Sequence, residues 1–139
     1  MAFKFGSTPA PRTISIVQAN TVTGLCSFPR AAIARGRWAA VVLQQGPSAL
    51  PESRVLLRDY AKRFAAEARK AGARTALYMV WPAGASAQGT DAARQSYQLA
   101  AQSVGGLFLP AGVALRSALQ QDATLPLLGS DDFHPSPLG

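Results

Sequence analysis

The chain contains one histidine, His134, three residues after Asp131 in the segment SDDFHPSPLG. A carboxylate so close can orient an imidazole and stabilise its charged form. The imidazole can then take a proton from a hydroxyl nucleophile and return it to a leaving group. Pro135 stiffens the loop directly after the histidine. The plainer reading of the same residues is a solvated histidine on a surface loop. A metal site would need more ligands than one His and two Asp supply, so no metal or cofactor is expected.

A second candidate lies in VVLQQGPS, where Gln45 and Gly46 follow an apolar run. A carboxamide and a glycine amide at a strand end can donate hydrogen bonds to a developing oxyanion. An ordinary turn would also use glycine there. Trp81, Pro82 and Tyr97 are residue types that can line acyl or sugar pockets, and that more often pack as core or rim. The single cysteine, Cys26, excludes an internal disulfide framework and a multi-cysteine metal site. It reads as a small, half-buried hydrophobe.

These residues need elements to carry them. MAFKF and RTISIVQANTV have strand character, separated by the turn-like GSTPAPR. AAIARG predicts a short helix ended by Gly36. Trp38 to Gln44, WAAVVLQ, is a continuous apolar run of strand length. Pro51 suits the first turn of a helix in which Leu57, Tyr60, Phe64, Ala68 and Ala71 recur at steps of three or four. On that helix Asp59 can pair with Arg63, and Glu67 with Lys70; Gly72 stops it. Ala73 to Trp81 is a second buried-type strand. Thr90 is the expected N-cap of a helix ending at Gly105 and Gly106. GLFLP is a third short strand, and AGVALRSALQQ a last helix. Alternating strands and helices argue for a three-layer α/β/α domain, a parallel sheet with helices on both faces. In such folds ligands sit beyond the carboxyl ends of the strands, where Gln44-Gln45-Gly46, Trp81-Pro82 and Pro110 fall and the Asp131–His134 loop is expected to return.

Composition narrows the function classes. The 139 residues suit one domain, 48% are hydrophobic and 15% charged, and a packed core is favoured over disorder. Fourteen Lys and Arg against seven Asp and Glu give a net charge of +7. Eleven of the fourteen basic residues are Arg, scattered singly, with no run of five or more basic residues and no aromatic-basic alternation, which argues against a specific nucleic-acid function. No apolar run reaches the roughly 18 residues of a membrane span, and the N-terminus lacks the apolar core of a secretory signal. A cytoplasmic protein is the default expectation.

Taken together and in this order, VVLQQGPSALPESR, LYMVWP and DDFHPSPLG resemble the SGNH (GDSL-like) hydrolases over residues 30–139. The resemblance implies a flavodoxin-like α/β/α domain that hydrolyses esters, often acetyl or other acyl groups on lipids or carbohydrates. The closing Asp-x-x-His motif of that family is matched by Asp131 and His134, which makes Asp131 the orienting acid and His134 the base. Family members commonly carry Gly-x-Asn after the third strand as part of the oxyanion hole. This chain has Gln45-Gly46 there, as in carbohydrate acetylesterase branches, which makes Gln45 the substitute donor beside Gly46. The family nucleophile lies in a Gly-Asp-Ser turn near the N-terminus. Here the nearest match is Phe5-Gly6-Ser7, which makes Ser7 the candidate, and Gly24 is a weak match to the second family motif.

The resemblance also implies a final helix after the His-Pro loop, and this chain stops at Gly139. The expectation is therefore a truncated member, with residues 1–29 an unassigned segment and residues 30–139 a partial SGNH-like domain. Its substrate would be a small-molecule or carbohydrate ester. The alternative is a non-catalytic remnant or binding module with the same fold. A basic domain that binds anionic polymers is a third reading, against which the scattered charge argues.

Overall fold

The structure is a computed structural model and describes residues 12–17 and 27–139. Four strands and four helices alternate: β1 (Arg12–Val17), α1 (Ser27–Arg35), β2 (Trp38–Gln44), α2 (Pro51–Lys70), β3 (Arg74–Tyr78), α3 (Ala87–Val104), β4 (Leu107–Leu109) and α4 (Ala111–Gln121). The strands form one parallel sheet in the order β1-β2-β3-β4. Every adjacent pair is joined through a helix, as parallel pairing requires. The helices pack around this sheet, and the architecture is the α/β/α class that the alternation predicts. β1, from within the segment set apart by sequence, pairs with β2 from Arg12–Trp38 to Val17–Gln44. The strand character predicted for MAFKF, the turn of GSTPAPR, Ser7, Gly24 and Cys26 lie outside the described residues.

Side-chain alternation assigns the two sheet faces. Val41 and Leu43 of β2, with Leu77 of β3 and Met79 just beyond it, are buried in one cluster with Leu57, Ala61, Phe64 and Ala68 of α2 and Ala93, Tyr97 and Ala100 of α3. Ala40, Val42, Gln44, Ala76, Tyr78 and Val80 therefore belong to the opposite face. On α2 the buried stripe is Leu57, Ala61, Phe64, Ala65 and Ala68. It is shifted slightly from the expected one, with Tyr60 and Ala71 packed at its margin. Pro51 stands at the first position of α2, and Arg69 and Lys70 complement the dipole at its end. Glu67 pairs with Lys70 at 3.3 Å as expected. Arg63 instead lies 5.4 Å above the Tyr60 ring, a cation–π contact in place of the expected pair with Asp59.

α3 begins one turn earlier than the sequence suggests. Ser86 is the N-cap residue, and Thr90 sits inside the helix, its N–H already donating to the Ser86 carbonyl at 2.9 Å. Both residues are cap types. Pro82 packs closely against this first turn at Gly89, where a Cβ would meet Pro82 Cγ at 2.8 Å. At the other end Gly105 adopts the left-handed conformation, φ 62°, and closes α3 as expected.

Candidate active site

Three loops converge at the carboxyl end of the sheet. One follows β2 (residues 45–50), one follows β3 (79–86), and one is the stretch 126–138. Among the described residues they enclose a cleft of about 410 Å³ lined by Gln44, Gly46, Tyr78, Val80, Trp81, Phe133, His134 and Pro135. The fold thus brings two separately expected features, the Gln-Gly turn and the histidine loop, to one place. The three described non-glycine residues with positive φ, Ser48 (54°), Ala85 (44°) and Asp132 (55°), fall one in each loop. Left-handed backbone at such residues is strained, and strain of this kind gathers at functional sites.

The histidine loop is organised by Asp131. One carboxylate oxygen, Oδ2, lies 2.5 Å from His134 Nδ1. The other, Oδ1, accepts the backbone N–H groups of Phe133 at 3.1 Å and His134 at 3.0 Å. The hydrogen bond to the imidazole is the largest cause, and the two backbone donors add to it, so the Asp131 carboxyl is held down to about 2. The aspartate is therefore ionised wherever the histidine could act as a base. Phe133 packs edge-on to the imidazole, ring centroids 5.1 Å apart. The loop closes on itself through Gly129 N–H to the His134 carbonyl at 2.7 Å and Ser136 N–H to the Leu127 carbonyl at 2.9 Å.

The turn after β2 is built around Tyr97, which is fully buried on α3. Its hydroxyl accepts the Gln45 N–H at 3.0 Å and contacts the carbonyls of Gln45 and Gly46, the latter at 3.0 Å. Burial dominates these bonds and pushes the phenol up to about 12. Tyr97 is thus a core residue that shapes the site from behind. The Gln45 carboxamide nitrogen donates to Ser48 Oγ at 2.9 Å and to the Ser53 carbonyl at 3.0 Å, and Ser48 Oγ donates to the Gly46 carbonyl at 2.9 Å. Both carboxamide protons of Gln45 are committed within the turn.

The neighbouring residue, Gln44, lines the cleft instead. Its carboxamide makes no hydrogen bond to another described residue. The two glutamines divide by strand parity: Gln45 continues the Val41–Leu43 side toward the helices, and Gln44 continues the opposite side with Tyr78 and Val80. The sequence places Gln44 at this strand end together with Gln45 and Gly46 but assigns the donor role to Gln45; alternation counted from the buried valine points to Gln44 as the side chain on the cleft side. Gly46 also lines the cleft, and a Cβ placed on it would meet no atom of a described residue within 4 Å. Trp81 lines the cleft as its residue type suggested, while Pro82 packs against Gly89.

No family model matches the chain, and no curated protein matches it in sequence. A solved structure does match. It is a protein from Slackia heliotrinireducens whose assignment as an SGNH hydrolase is itself inferred, with a TM-score of 0.70 at 22% identity. The alignment takes in 83% of this chain and 66% of that one, so this chain spans just under two thirds of the neighbour's length. The likeness establishes a shared fold.

Among the described residues no three His, Cys, Asp or Glu side chains converge as metal ligands. No described helix is long and apolar enough to cross a membrane. Among the described residues the lining of the cleft carries one ionisable base, His134, and no Lys, Arg, Asp or Glu. β1 ends at Val17, in register with Gln44, so the chain leaves this strand at the edge of the sheet that holds the cleft.

Proposed function

We propose that this chain is an SGNH-type serine ester hydrolase acting on acyl or acetyl esters, carbohydrate esters among them. The observation that carries the reading is the convergence of the Asp131–His134 pair with Gln44 and Gly46 on one cleft. The shared fold with an inferred SGNH hydrolase supports it.

In this reading His134 takes the proton of a serine hydroxyl as the serine oxygen attacks the ester carbonyl carbon. Asp131 holds the imidazole by its Nδ1–H and stabilises it when charged. The carbonyl oxygen becomes an oxyanion, received by the Gly46 N–H and a glutamine carboxamide. Gln44 is better placed than Gln45 to be that donor. The alcohol leaves with the proton from His134, and a water activated by the same imidazole hydrolyses the acyl-enzyme. Ser7 remains the proposed nucleophile on the Gly-Ser resemblance alone.

The test is the initial rate of acetyl-ester hydrolysis by the purified chain beside His134→Ala, with fluorophosphonate labelling and mass mapping of the labelled residue. The expected result is wild-type turnover above the variant by about 10²-fold or more, with label on a serine. Equal rates at the level of the buffer, and no label, would make the chain a non-catalytic module with this fold.

A further inference from the structure

The Asp131–His134 pair sits on an open loop: the two side chains remain 51% and 75% exposed. A base so exposed keeps one orientation only if its backbone is tied to the scaffold. Among the described residues two ties come from the segment after β3. Gly84 N–H donates to the Asp132 carbonyl at 2.8 Å, and the Trp81 indole Nε1–H donates to the Phe133 carbonyl at 2.9 Å. The second differs in kind, because it comes from a side chain that also lines the cleft.

The Phe133 carbonyl and the His134 N–H belong to one planar peptide unit. Its oxygen is held by Trp81, and its N–H is held by Asp131 Oδ1 at 3.0 Å. The other oxygen of the same carboxylate holds the imidazole. The plane from which the His134 side chain departs is therefore gripped from both sides, by the scaffold and by the orienting acid. Released from the indole, that plane can rotate and carry the imidazole and carboxylate away from the cleft together.

We propose that Trp81 is a positioning residue for His134: its indole N–H fixes the Phe133–His134 peptide and thereby the direction of the imidazole into the cleft. Because the same ring forms part of the cleft wall, a ligand seated there presses on the group that aims the base. The assignment of His134 as a base rests on the hydrolase reading above; the indole tie does not.

The decisive variant is Trp81→Phe, which keeps an aromatic ring and removes the donor. Trp38→Phe is the control. Trp38 is the other tryptophan of the chain, and its indole donates to the Ala32 carbonyl at 3.2 Å, an α1 contact outside the histidine loop. Amide hydrogen exchange at Phe133 and His134 is expected to rise about tenfold in Trp81→Phe, the size of one ordinary hydrogen bond, and to stay unchanged in Trp38→Phe. In ester hydrolysis kcat is expected to fall by a similar factor with KM within about twofold, because orientation rather than binding is lost. Unchanged exchange at both amides with unchanged kcat would overturn the proposal. If Trp81→Phe does not fold, the reciprocal measurement decides: in Asp131→Asn the Trp81 indole resonance is expected to move and the Trp38 resonance to stay, and an unmoved Trp81 resonance would overturn the tie. A wild-type chain without turnover would sink the hydrolase reading, while the exchange and resonance data would still decide whether the indole holds the loop.

Discussion

The hydroxyl of Tyr97 on α3 accepts the Gln45 N–H at the end of β2, 52 residues away in sequence, at 3.0 Å. One buried phenol thus fixes the turn that presents Gly46 to the cleft, and its ionisation should appear as a stability effect. Burial raises it to about 12, above the ordinary 10.0 of an unfolded chain. The folded state therefore holds this proton more tightly. The resulting stabilisation is fully present below pH 10 and is lost as pH rises from 10 through 12. The expected loss is on the order of 2–3 kcal/mol. Urea unfolding at several alkaline pH values should show this slope in the wild type and a flatter one in Tyr97→Phe. At neutral pH the variant should be weaker by about 1–3 kcal/mol, because it leaves the Gln45 N–H without its partner.

The two adjacent glutamines should separate by what their loss does. Gln45 holds the turn through Ser48 and Ser53, so Gln45→Ala should lower stability by about 1–3 kcal/mol. Gln44 lines the cleft without a described hydrogen-bond partner, so Gln44→Ala should leave the midpoint of unfolding nearly unchanged. If Gln44 is the oxyanion donor, its loss should cut kcat by about 10²–10³. Thermal melts and initial rates on both variants decide the assignment. The reverse pattern, stability lost at Gln44 and kcat lost at Gln45, would return the donor role to Gln45.

What was legible in advance divides along physical lines. Alternating strands and helices are written in local periodicity, and the sheet, its parallel sense and the helices, the short α1 included, follow from it. The meeting of the Gln-Gly turn with the histidine loop also followed, because parallel sheets gather their carboxyl ends on one edge. The side chain that faces the cleft was not legible from residue type: Gln44 and Gln45 are identical in chemistry and opposite in direction. Residue type marks Tyr97 as a pocket or core residue, but its grip on a turn 52 residues away is a long-range contact that no local pattern encodes. Thr90 has the residue type of an N-cap, but Ser86 has it too and lies one turn earlier, and residue type alone does not choose between them.

Asp131 offers a test of the pair that needs no substrate. Its carboxyl is lowered to about 2, first by the His134 side chain and then by the two backbone N–H groups. A depressed folded value means that its contribution is present above the ordinary 3.8 and is lost as pH falls toward 2. Carbon-13 titration of the Asp131 carboxyl should give a midpoint near 2 in the wild type. In His134→Ala the midpoint should rise toward 3.8, because the largest cause is gone. A wild-type midpoint near 4 would mean that the carboxylate and imidazole do not pair in solution. The same numbers imply that any loss of activity between pH 7 and pH 4 does not come from protonation of Asp131.

Gly46 distinguishes a working cleft from a merely open one. A Cβ at this position meets no atom of a described residue within 4 Å, and its φ is not in the left-handed region, so Gly46→Ala should fold normally. Its stability should stay within about 0.5 kcal/mol of wild type or rise slightly, since alanine restricts the unfolded chain. In the proposed reaction the new methyl group would crowd the acyl group at the Gly46 N–H. Small acetyl esters should be hydrolysed with KM raised several-fold, and longer acyl esters should suffer more, a difference that initial rates on an acyl-length series would measure. Equal kinetics across the series would mean that the scissile carbonyl does not approach Gly46, and the oxyanion donors would have to be sought elsewhere on the cleft wall.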